Sequence, residues 1–246
     1  PSHYRGRRGE YMLFLLSRFW IKKITVLSSS IIESYSPVLR PKMCAIPNPV
    51  HPAETLSDPA GKDAKRKIIL NVGRLTDQKD QETLIRAFAR LADDEPDWDL
   101  RIVGEGELRN RLEEVVRELN LQERVCLPGI TSEIEQEYQA AHIFALPSVY
   151  ESFGLATAEA MAHGLPTIGF SSCPGTNELI VQGKSGLLVE GETRVDAFAH
   201  GLKQLMADEK LRVDLGREGL KTVEQFHPDA IAQIWEDQIR DVLHAR

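Results

Sequence analysis

The chain has 246 residues, of which 42% are hydrophobic, and its formal net charge is −7. This length and composition predict a globular protein of one large domain or one and a half, and the three widely separated cysteines argue against a disulfide framework or a zinc site. The eight Lys or Arg and two Glu among residues 1–50 leave the remainder with a net charge of −13, which argues against nucleic acid as a partner because duplex binding depends on neutralising phosphates.

The first 45 residues contain short elements that cannot form a core alone. Residues 11–23 have a helical pattern with aromatic side chains, ITVLSSS is typical of a strand, and a short helix is predicted to end near Pro37. The apolar run 11–21 contains Arg18 and is too short to span a bilayer. The basic, aromatic segment 11–23 has two interpretations, contact with an anionic membrane surface or packing against another domain. The chain begins at Pro1 without a methionine, and we expect it to be part of a longer protein.

Short apolar runs alternate with amphipathic stretches from Lys67 onward, after the proline-rich segment 47–59, which is predicted to be a linker. Apolar runs of strand length separated by helices of period 3.6 are typical of βαβ units and of a parallel sheet covered on both faces. The predicted fold class is therefore α/β, with a doubly wound, Rossmann-like parallel sheet. We predict three regions: residues 1–45, a main domain over 46–225, and an amphipathic helix within 226–246.

The turn after the first strand of the main domain, KIILNV, contains Gly73, Arg74 and Lys79. Ligands of open parallel sheets bind beyond the carboxyl ends of the strands, so both cations are predicted to face that edge. Arg74 could make a forked contact with a diphosphate and Lys79 a point-charge contact, without a metal. The alternative is a pair of solvated surface charges, which the spacing alone favours.

Two further motifs are weak signals. Gly104 and Gly106 begin a dinucleotide-binding fingerprint, but position 109 is Arg instead of Gly, and a tight strand-to-helix turn explains both glycines. Asp97 and Asp99 have the spelling of a DxD metal motif but lie at the amino end of their strand, away from the ligand edge. No metal site is predicted from either motif.

The turn after the strand HIFALP leads into the helical segment 155–163 through Glu151, Phe153 and Gly154. A helix start presents unpaired backbone N–H groups and the positive end of the dipole, which suit a phosphate. Glu151 precedes this helix and Glu159 lies in its second turn, so both are predicted to address one ligand, one at a sugar and one at a ribose. The alternative is a glutamate favoured by the helix dipole and a second, exposed glutamate.

The other histidines and cysteines in these segments show no catalytic pattern. His142 and His163 flank buried elements without a Ser or Cys nucleophile motif nearby, and they are interpreted as structural or surface residues. Cys126 and Cys173 lie in or beside apolar strands and are predicted to be small core residues.

Five motifs occur in order along the chain: GRLTDQK, IVGEGELR, LPG, ALPSVYESFGLATAEAMAHGLPTIGF and PGTNELIVQGKSGLLV. In this order they resemble the carboxyl-terminal, donor-binding domain of the retaining GT-B glycosyltransferases of family 4, over about residues 46–245. The two glutamates eight positions apart in the ESFGL context match that family's signature. The resemblance implies the donor half of a GT-B fold, with residues 1–45 as a remnant of the amino-terminal acceptor domain and 226–246 as a crossover helix.

The resemblance also implies a role for each matching position. Arg74 and Lys79, next to Gly73, match the pair that holds the donor diphosphate, so that neither a metal nor another cofactor is needed. Glu151 matches the catalytic glutamate that contacts hydroxyls of the donor sugar, and Glu159 matches the residue that binds the ribose. The other donor-binding positions are three whose backbone amides touch sugar and phosphate and two in the loop that cups the base: Phe153, Gly154, Leu155, Gly129 and Ile130.

The implied function is retaining transfer of a hexose or N-acetylhexosamine from a nucleotide-sugar, UDP being favoured over GDP, to a saccharide or lipid-linked acceptor in cell-surface glycan synthesis. The implied location is cytoplasmic, at the cytoplasmic face of the membrane, with surface contact through the acceptor domain and residues 11–23. Without the acceptor domain the chain is expected to bind donor and to transfer poorly. Two alternatives keep the same fold, a non-catalytic nucleotide-sugar-binding or interaction module and an epimerase.

Overall fold

The structure of the protein, a computed structural model, describes residues 15, 20–35, 37 and 39–244. Most of the helix predicted for residues 11–23 lies outside the described residues. The chain divides into two compact units, one made of residues 1–49 and 226–246 and the other of Val50–Gln225. The larger unit, Val50–Gln225, contains the predicted series of βαβ units.

The smaller unit contains two short parallel strands, a short helix and the amphipathic helix predicted near the carboxyl end. On that last helix, Pro228–His244, Ile231 is buried, whereas Ile234, Trp235 and Ile239 are exposed. In the part of the chain that the structure describes, no helix has the length and apolar composition needed to cross a membrane. The elements before the linker are β1 (Ile24–Val26), α1 (Ser29–Glu33), a 3-10 turn (Arg40–Lys42) and β2 (Met43–Ala45), and β1 pairs with β2 in parallel.

A parallel sheet of six strands forms the centre of the larger unit, which confirms the predicted fold class. The strand order is β5-β4-β3-β6-β7-β8, so the chain moves outward in one direction from β3 and in the other from β6. The order reverses between the neighbours β3 and β6, and such a switch point is where doubly wound sheets bind ligands. The strands are β3 (Lys67–Val72), β4 (Trp98–Val103), β5 (Val125–Gly129), β6 (Ile143–Ala145), β7 (Thr167–Phe170) and β8 (Leu187–Val189).

Helices connect the strands of this sheet and bury apolar side chains that recur at helical spacing. In the helix Gln81–Ala89, for example, Leu84, Ile85 and Phe88 are fully buried, and the Asp80 side chain caps the helix start by accepting a backbone N–H. The helices are α2 (Gln81–Ala89), α3 (Arg109–Glu118), α4 (Ile134–Ala140), α5 (Leu155–Ala162), α6 (Thr176–Leu179), α7 (Arg194–Ala207) and α8 (Glu209–Val223).

Two apolar clusters cover the two faces of the sheet. Ile69 belongs to one cluster and its neighbour Leu70 to the other, because successive side chains of a strand point to opposite faces. The larger cluster includes side chains from α2, α3, α7 and α8, and the smaller one includes Tyr138 of α4 and Ala160 of α5. Residues 46–66, which precede β3, form no helix or strand, and those from Val50 onward belong to the larger unit.

Two observations on the sheet bear on the sequence predictions. The Asp99 carboxylate on β4 accepts a bond from Nε of Arg124 at 3.1 Å and is also bonded by Arg66, so two guanidinium groups neutralise it. Within the described chain, no group of three or more His, Cys, Asp or Glu side chains could hold a metal ion. Cys173 is buried as predicted, but Cys126 is exposed, and the prediction of a core position was wrong because β5 lies at the edge of the sheet.

His142 lies between the linker and the sheet as a buried, structural residue. Its Nδ1 atom accepts the backbone N–H of Ile68 at 3.0 Å, and its ring meets the ring of Trp98 edge-on at 6.2 Å. Burial, together with the nearby cations Arg212 and Lys67, lowers the pKa of His142 to about 4. The imidazole is therefore neutral in the folded protein at pH 7.

The low pKa of His142 predicts a loss of stability in mild acid. The unfolded chain takes up this proton near pH 6.5 and the folded chain only near pH 4, so stability present above pH 6.5 is lost as the pH falls toward 4. We expect about 3 kcal/mol of acid-dependent loss from this residue. Urea unfolding of the wild type and of His142→Asn, at pH 7 and pH 4.5, measures it. An equal acid loss in both proteins would contradict the assignment.

Candidate functional site

The carboxyl ends of β3 and β6 meet at the switch point, and each is followed by a loop that contains predicted site residues. The first loop covers residues 73–80 and the second covers residues 146–154. The N–H of Val149 donates to the carbonyl of Gln78 at 2.8 Å, and the Gln78 side chain donates to the carbonyl of Tyr150 at 2.7 Å. These bonds join the two loops into one surface at the ligand edge of the sheet.

An ion pair between Lys79 and Glu151 connects the same two loops. The Nζ atom of Lys79 donates to Oε1 of Glu151 at 2.6 Å, and the two side chains are only 14% and 8% exposed. The buried hydroxyl of Ser148 donates to the same carboxylate oxygen at 2.6 Å. Two charges that were predicted to face one ligand are thus in direct contact, and removal of either would leave a buried charge without its partner.

The main chain of Glu151 is fixed by the segment that follows β7. The N–H of Glu151 donates to the carbonyl of Pro174 at 3.0 Å. Gly175 has a φ of +81°, and a Cβ atom at this position would lie 2.5 Å from the carbonyl oxygen of Glu151. Only glycine allows this close approach. The PGTNE segment therefore fixes the main-chain position of Glu151.

The first loop holds one cation in the ion pair and leaves another exposed. The Lys79 side chain passes over Gly73, where an added Cβ atom would lie 3.4 Å from the lysine Cε. Arg74 is exposed, and its side chain has no hydrogen bond or ion pair among the described residues. Its carbonyl accepts the side-chain amide of Gln81 at 2.9 Å, which fixes the main chain. The Arg74 guanidinium is therefore available to an anion.

Helix α5 begins at the end of the second loop. Gly154 precedes the helix with a φ of +85°, and no side chain caps the helix start. Phe153 is 5% exposed and anchors the turn, whereas Leu155 is 40% exposed. The first N–H groups of a helix have no intrahelical acceptor and lie at the positive end of its dipole. This arrangement suits a phosphate group.

Glu159 lies on α5 and is held by a side chain from α4. The Tyr138 hydroxyl donates to Oε2 of Glu159 at 2.8 Å, and Glu159 itself is half-buried. Burial raises the pKa of Glu159, while the bond from Tyr138 and the nearby His163 oppose this rise. The alternative of a freely exposed helix-surface glutamate does not fit these contacts.

Gly129, predicted to lie in the loop after the strand, is the last residue of β5, and Ile130 begins the loop that follows. Gly129 has a φ of +89°, and its carbonyl accepts the N–H of Gly104 at 2.8 Å. Beside it, Arg109 makes a forked pair with Glu105, and a Cβ atom on Gly129 would lie 2.9 Å from Oε1 of that glutamate. The bonds from Arg109 lower the pKa of Glu105. Ile130 is 80% exposed and offers an apolar surface next to this rigid turn.

Arg194, the first residue of α7, was not predicted as a site residue. Its Nε donates to the Asp80 carboxylate at 2.7 Å, its guanidinium also bonds the carbonyl of Pro147, and it stacks on the ring of Phe170 at 3.8 Å. Asp80 directly follows Lys79, and Pro147 belongs to the second loop. Arg194 therefore connects both loops to the start of α7.

Other supporting residues were also missed by the sequence interpretation. Ser148 and Gly175 lie inside two of the five motifs, and a hydroxyl three positions before a glutamate was a signal that could have been followed. Tyr138 and Arg194 lie in no motif, and their partners are 21 and 114 residues away. No spacing rule relates positions so far apart.

The sequence of this chain matches the model of one known protein family. The model described as glycosyl transferases group 1 matches residues 53–222, which is more than half of the chain. The chain belongs to the glycosyl transferases group 1 family. The predicted family resemblance is thereby confirmed at this level. The motifs that carried the resemblance, from GRLTDQK to PGTNELIV, fall within the matched range.

Two curated relatives of this group 1 chain come from bacteria. It is 30% identical to an exopolysaccharide phosphotransferase of Streptomyces coelicolor, over 100% of this chain and 26% of that protein. It is 34% identical to N-acetylgalactosamine-N,N'-diacetylbacillosaminyl-diphospho-undecaprenol 4-alpha-N-acetylgalactosaminyltransferase of Campylobacter jejuni, over 81% of this chain and 55% of that protein. The chain thus spans about a quarter and about half of the length of these two relatives.

The fold of the group 1 chain is also that of solved glycosyltransferases. The pneumococcal O-GlcNAc transferase GtfA, in complex with UDP and GlcNAc, superposes with a TM-score of 0.83 at 22% identity. The match covers 96% of this chain and 48% of the transferase. Together with the six-stranded parallel sheet, this similarity establishes a GT-B type of α/β fold.

Proposed function

We propose that the larger unit binds the nucleotide-sugar donor of a retaining, metal-independent glycosyltransferase, and that the complete protein transfers a hexose or N-acetylhexosamine. The observation that carries this proposal is the ion pair between Lys79 and Glu151 at the switch point of the sheet. Membership of the group 1 family supports glycosyl transfer. UDP is the proposed nucleotide, in line with the UDP and GlcNAc in the pneumococcal transferase of similar fold.

Each element of the site has a proposed contact with the donor. The diphosphate lies between the two cations of the first loop and the start of α5, the donor sugar lies against the carboxylate of the second loop, and the ribose lies against the carboxylate of α5. The base lies over the loop after β5. In chain order the proposed donor-binding residues are Gly73, Arg74, Lys79, Gly129, Ile130, Glu151, Phe153, Gly154, Leu155 and Glu159.

The charges of the site suit the chemistry of donor cleavage. Breaking the bond between the anomeric carbon and the diphosphate oxygen places positive charge on the sugar and negative charge on the departing UDP. Arg74, Lys79 and the start of α5 stabilise that anion without a metal or another cofactor. The proposed role of Glu151 is to stabilise this positive charge with its carboxylate. Because Lys79 pairs with Glu151 in the free protein, the diphosphate competes with Glu151 for the ammonium group.

The proposed setting is cell-surface glycan synthesis, with a saccharide or lipid-linked acceptor and the protein peripheral to the cytoplasmic face of a membrane. The name of the Campylobacter jejuni relative describes transfer to a saccharide carried on diphospho-undecaprenol. The net charge of +6 on residues 1–50 would favour anionic lipid headgroups. Transfer itself requires an acceptor-binding domain, whereas donor binding does not.

Donor binding is tested directly by calorimetry with UDP. We expect binding to the wild-type chain and about thirty-fold weaker binding to Glu159→Ala, since a hydrogen bond to a charged group contributes about 1.5–3 kcal/mol. Glu114→Ala, a change at an exposed glutamate of α3, is the matched control and should bind as the wild type does. If UDP does not bind at millimolar concentration, or if Glu159→Ala binds it normally, the proposed donor site is wrong.

A second candidate function follows from the Streptomyces coelicolor relative, whose name describes an exopolysaccharide phosphotransferase and whose match covers the whole chain. Such an enzyme would move a sugar phosphate and release UMP, whereas glycosyl transfer releases UDP. Nucleotide products formed by the complete protein from a UDP-sugar and acceptor therefore separate the two reactions. UDP binding with neither product would favour a non-catalytic binding module, and an epimerised UDP-sugar formed without acceptor would favour an epimerase.

A further inference from the structure

The Tyr138 side chain, which holds the carboxylate of Glu159, packs against two other rings. The Tyr138 hydroxyl donates to Oε2 of Glu159 at 2.8 Å and lies 3.4 Å from the carbonyl of Ala156, so the shorter contact holds its single proton. The Tyr138 ring stacks on His163 with 4.8 Å between centroids and 27° between planes, and it packs against Phe144 at 6.0 Å. Tyr138 is 1% exposed. Its hydroxyl therefore has one well-defined position.

The orientation of His163 is fixed by the same helix that carries Glu159. His163 is the residue after α5, and its Nδ1 lies 2.8 Å from the carbonyl oxygen of Glu159. A carbonyl only accepts, so Nδ1 carries a proton and donates to it. His163 is 6% exposed, and its Nε2 atom is buried with no partner among the described residues. The His163 ring is thus a fixed, buried surface on which the Tyr138 ring stacks.

These contacts assign the Glu159 carboxylate a direction. One oxygen, Oε2, is occupied by the Tyr138 hydroxyl, while the residue remains partly open to solvent. A carboxylate accepts only, so the oxygen not held by Tyr138 is free to accept from a diol of the ligand. A carboxylate fixed in this way loses less rotamer freedom when the ligand binds than a free glutamate would.

From this geometry we infer that Tyr138, stacked on His163, is a positioning residue that sets Glu159 to recognise the ribose hydroxyls of the nucleotide. The inference rests on the proposed donor-binding function of the same site. Tyr138 itself does not contact the nucleotide. It acts through Glu159, and its removal is expected to weaken the preference for a ribose over a sugar that lacks both hydroxyls.

The charge state of Glu159 provides a second consequence. Burial raises the pKa of Glu159, and the hydrogen bond from Tyr138 and the proximity of His163 limit that rise; these are the titratable groups that act on it. Burial also raises the pKa of Tyr138 well above its usual value, so the tyrosine stays a donor. Loss of the Tyr138 hydroxyl raises the pKa of Glu159 further. The acid-side fall in ribose-dependent binding should then move to higher pH.

The experiment is calorimetric titration of the full chain with UDP and with 2′,3′-dideoxy-UDP, from pH 5 to pH 8. The dideoxy nucleotide carries the same diphosphate, so the ratio of the two affinities removes phosphate titration from the comparison. The variants are Tyr138→Phe, Glu159→Gln and the double variant. Tyr35→Phe, which removes a hydroxyl in the smaller unit, is the matched control. Unfolding by urea at pH 7 shows that each variant is folded.

We expect Tyr138→Phe to weaken UDP about ten-fold, to leave dideoxy-UDP almost unchanged, and to move the acid-side midpoint of the affinity ratio to higher pH. In the Glu159→Gln background the same change should have little further effect, as expected for residues that act as a unit. Equal weakening of both nucleotides, an unmoved midpoint, or full additivity of the two changes would overturn the inference. Absence of UDP binding to the wild type would instead refute the proposed function.

Discussion

Lys79→Met is expected to weaken UDP binding about a hundred-fold, which corresponds to about 2.7 kcal/mol. The lysine is 14% exposed and its ammonium group lies 2.6 Å from Glu151. In the variant, the site loses a cation for the diphosphate and also retains an uncompensated carboxylate that repels the ligand. Both effects weaken UDP binding. Calorimetric titration of the variant and of the wild type with UDP, at one fixed salt concentration, measures their sum.

Glu151→Gln is expected to have the opposite effect on UDP affinity in the same experiment. The amide cannot hold the ammonium of Lys79 as a carboxylate does, so the lysine is released for the diphosphate and the local charge becomes more positive. UDP should therefore bind to Glu151→Gln at least as tightly as to the wild type, while sugar transfer by the complete protein is lost. A general loss of folding would weaken UDP binding in both variants, and only an electrostatic role produces opposite signs.

The matched control for this pair is Lys203→Met, which removes an exposed lysine from α7. It should bind UDP as the wild type does. A hundred-fold loss in Lys203→Met would indicate non-specific attraction by surface charge. Equal weakening of UDP by Lys79→Met and Glu151→Gln would contradict the competition between diphosphate and carboxylate.

Much of the fold followed from the sequence because it depends on local periodicity. The runs KIILNV and DLRIV alternate with segments such as ETLIRAFARL, and each became a strand or a helix where it was expected. The strand order is a different matter, since the pairing of β3 with β6 joins segments about 75 residues apart. The exposure of Cys126 had the same cause, because an apolar run does not reveal whether its strand lies at the edge of the sheet.

The sequence could predict which residues of each loop belong to the site, but not the contacts between side chains of different loops. The glycines and charges of residues 73–79 and 151–159 were visible, because residues after strands collect at one edge of a parallel sheet. The contact between Lys79 and Glu151 was not, since 72 residues separate them. The same holds for Arg194 and Tyr138, which act through residues on other elements. Sequence spacing orders the loops, and only packing decides which side chains touch.

Arg212 is the most buried charged side chain of the larger unit, and its replacement should have the largest effect on stability. It is 2% exposed, and its guanidinium donates to four carbonyls, those of Pro59 at 2.6 Å, Leu205 at 2.7 Å, Met206 at 3.1 Å and Ala60 at 3.2 Å. Burial lowers its pKa, but an arginine remains charged at any pH at which the protein is folded. The charge is thus compensated by carbonyl dipoles at the linker and the end of α7.

We expect Arg212→Met to lower the free energy of unfolding by about 3–5 kcal/mol, because methionine fills part of the space but leaves the four carbonyls without donors. For a chain of this size the corresponding fall in Tm is about 10 °C.

Arg217→Met, on the same helix, is the control. Arg217 pairs with Asp214 at a site 62% exposed, and its loss should change the free energy of unfolding by less than about 0.5 kcal/mol. Urea unfolding of both variants at pH 7 decides the matter. Equal stability of Arg212→Met and Arg217→Met would show that solvent replaces the guanidinium at the four carbonyls, and the linker would then be held by its apolar contacts alone.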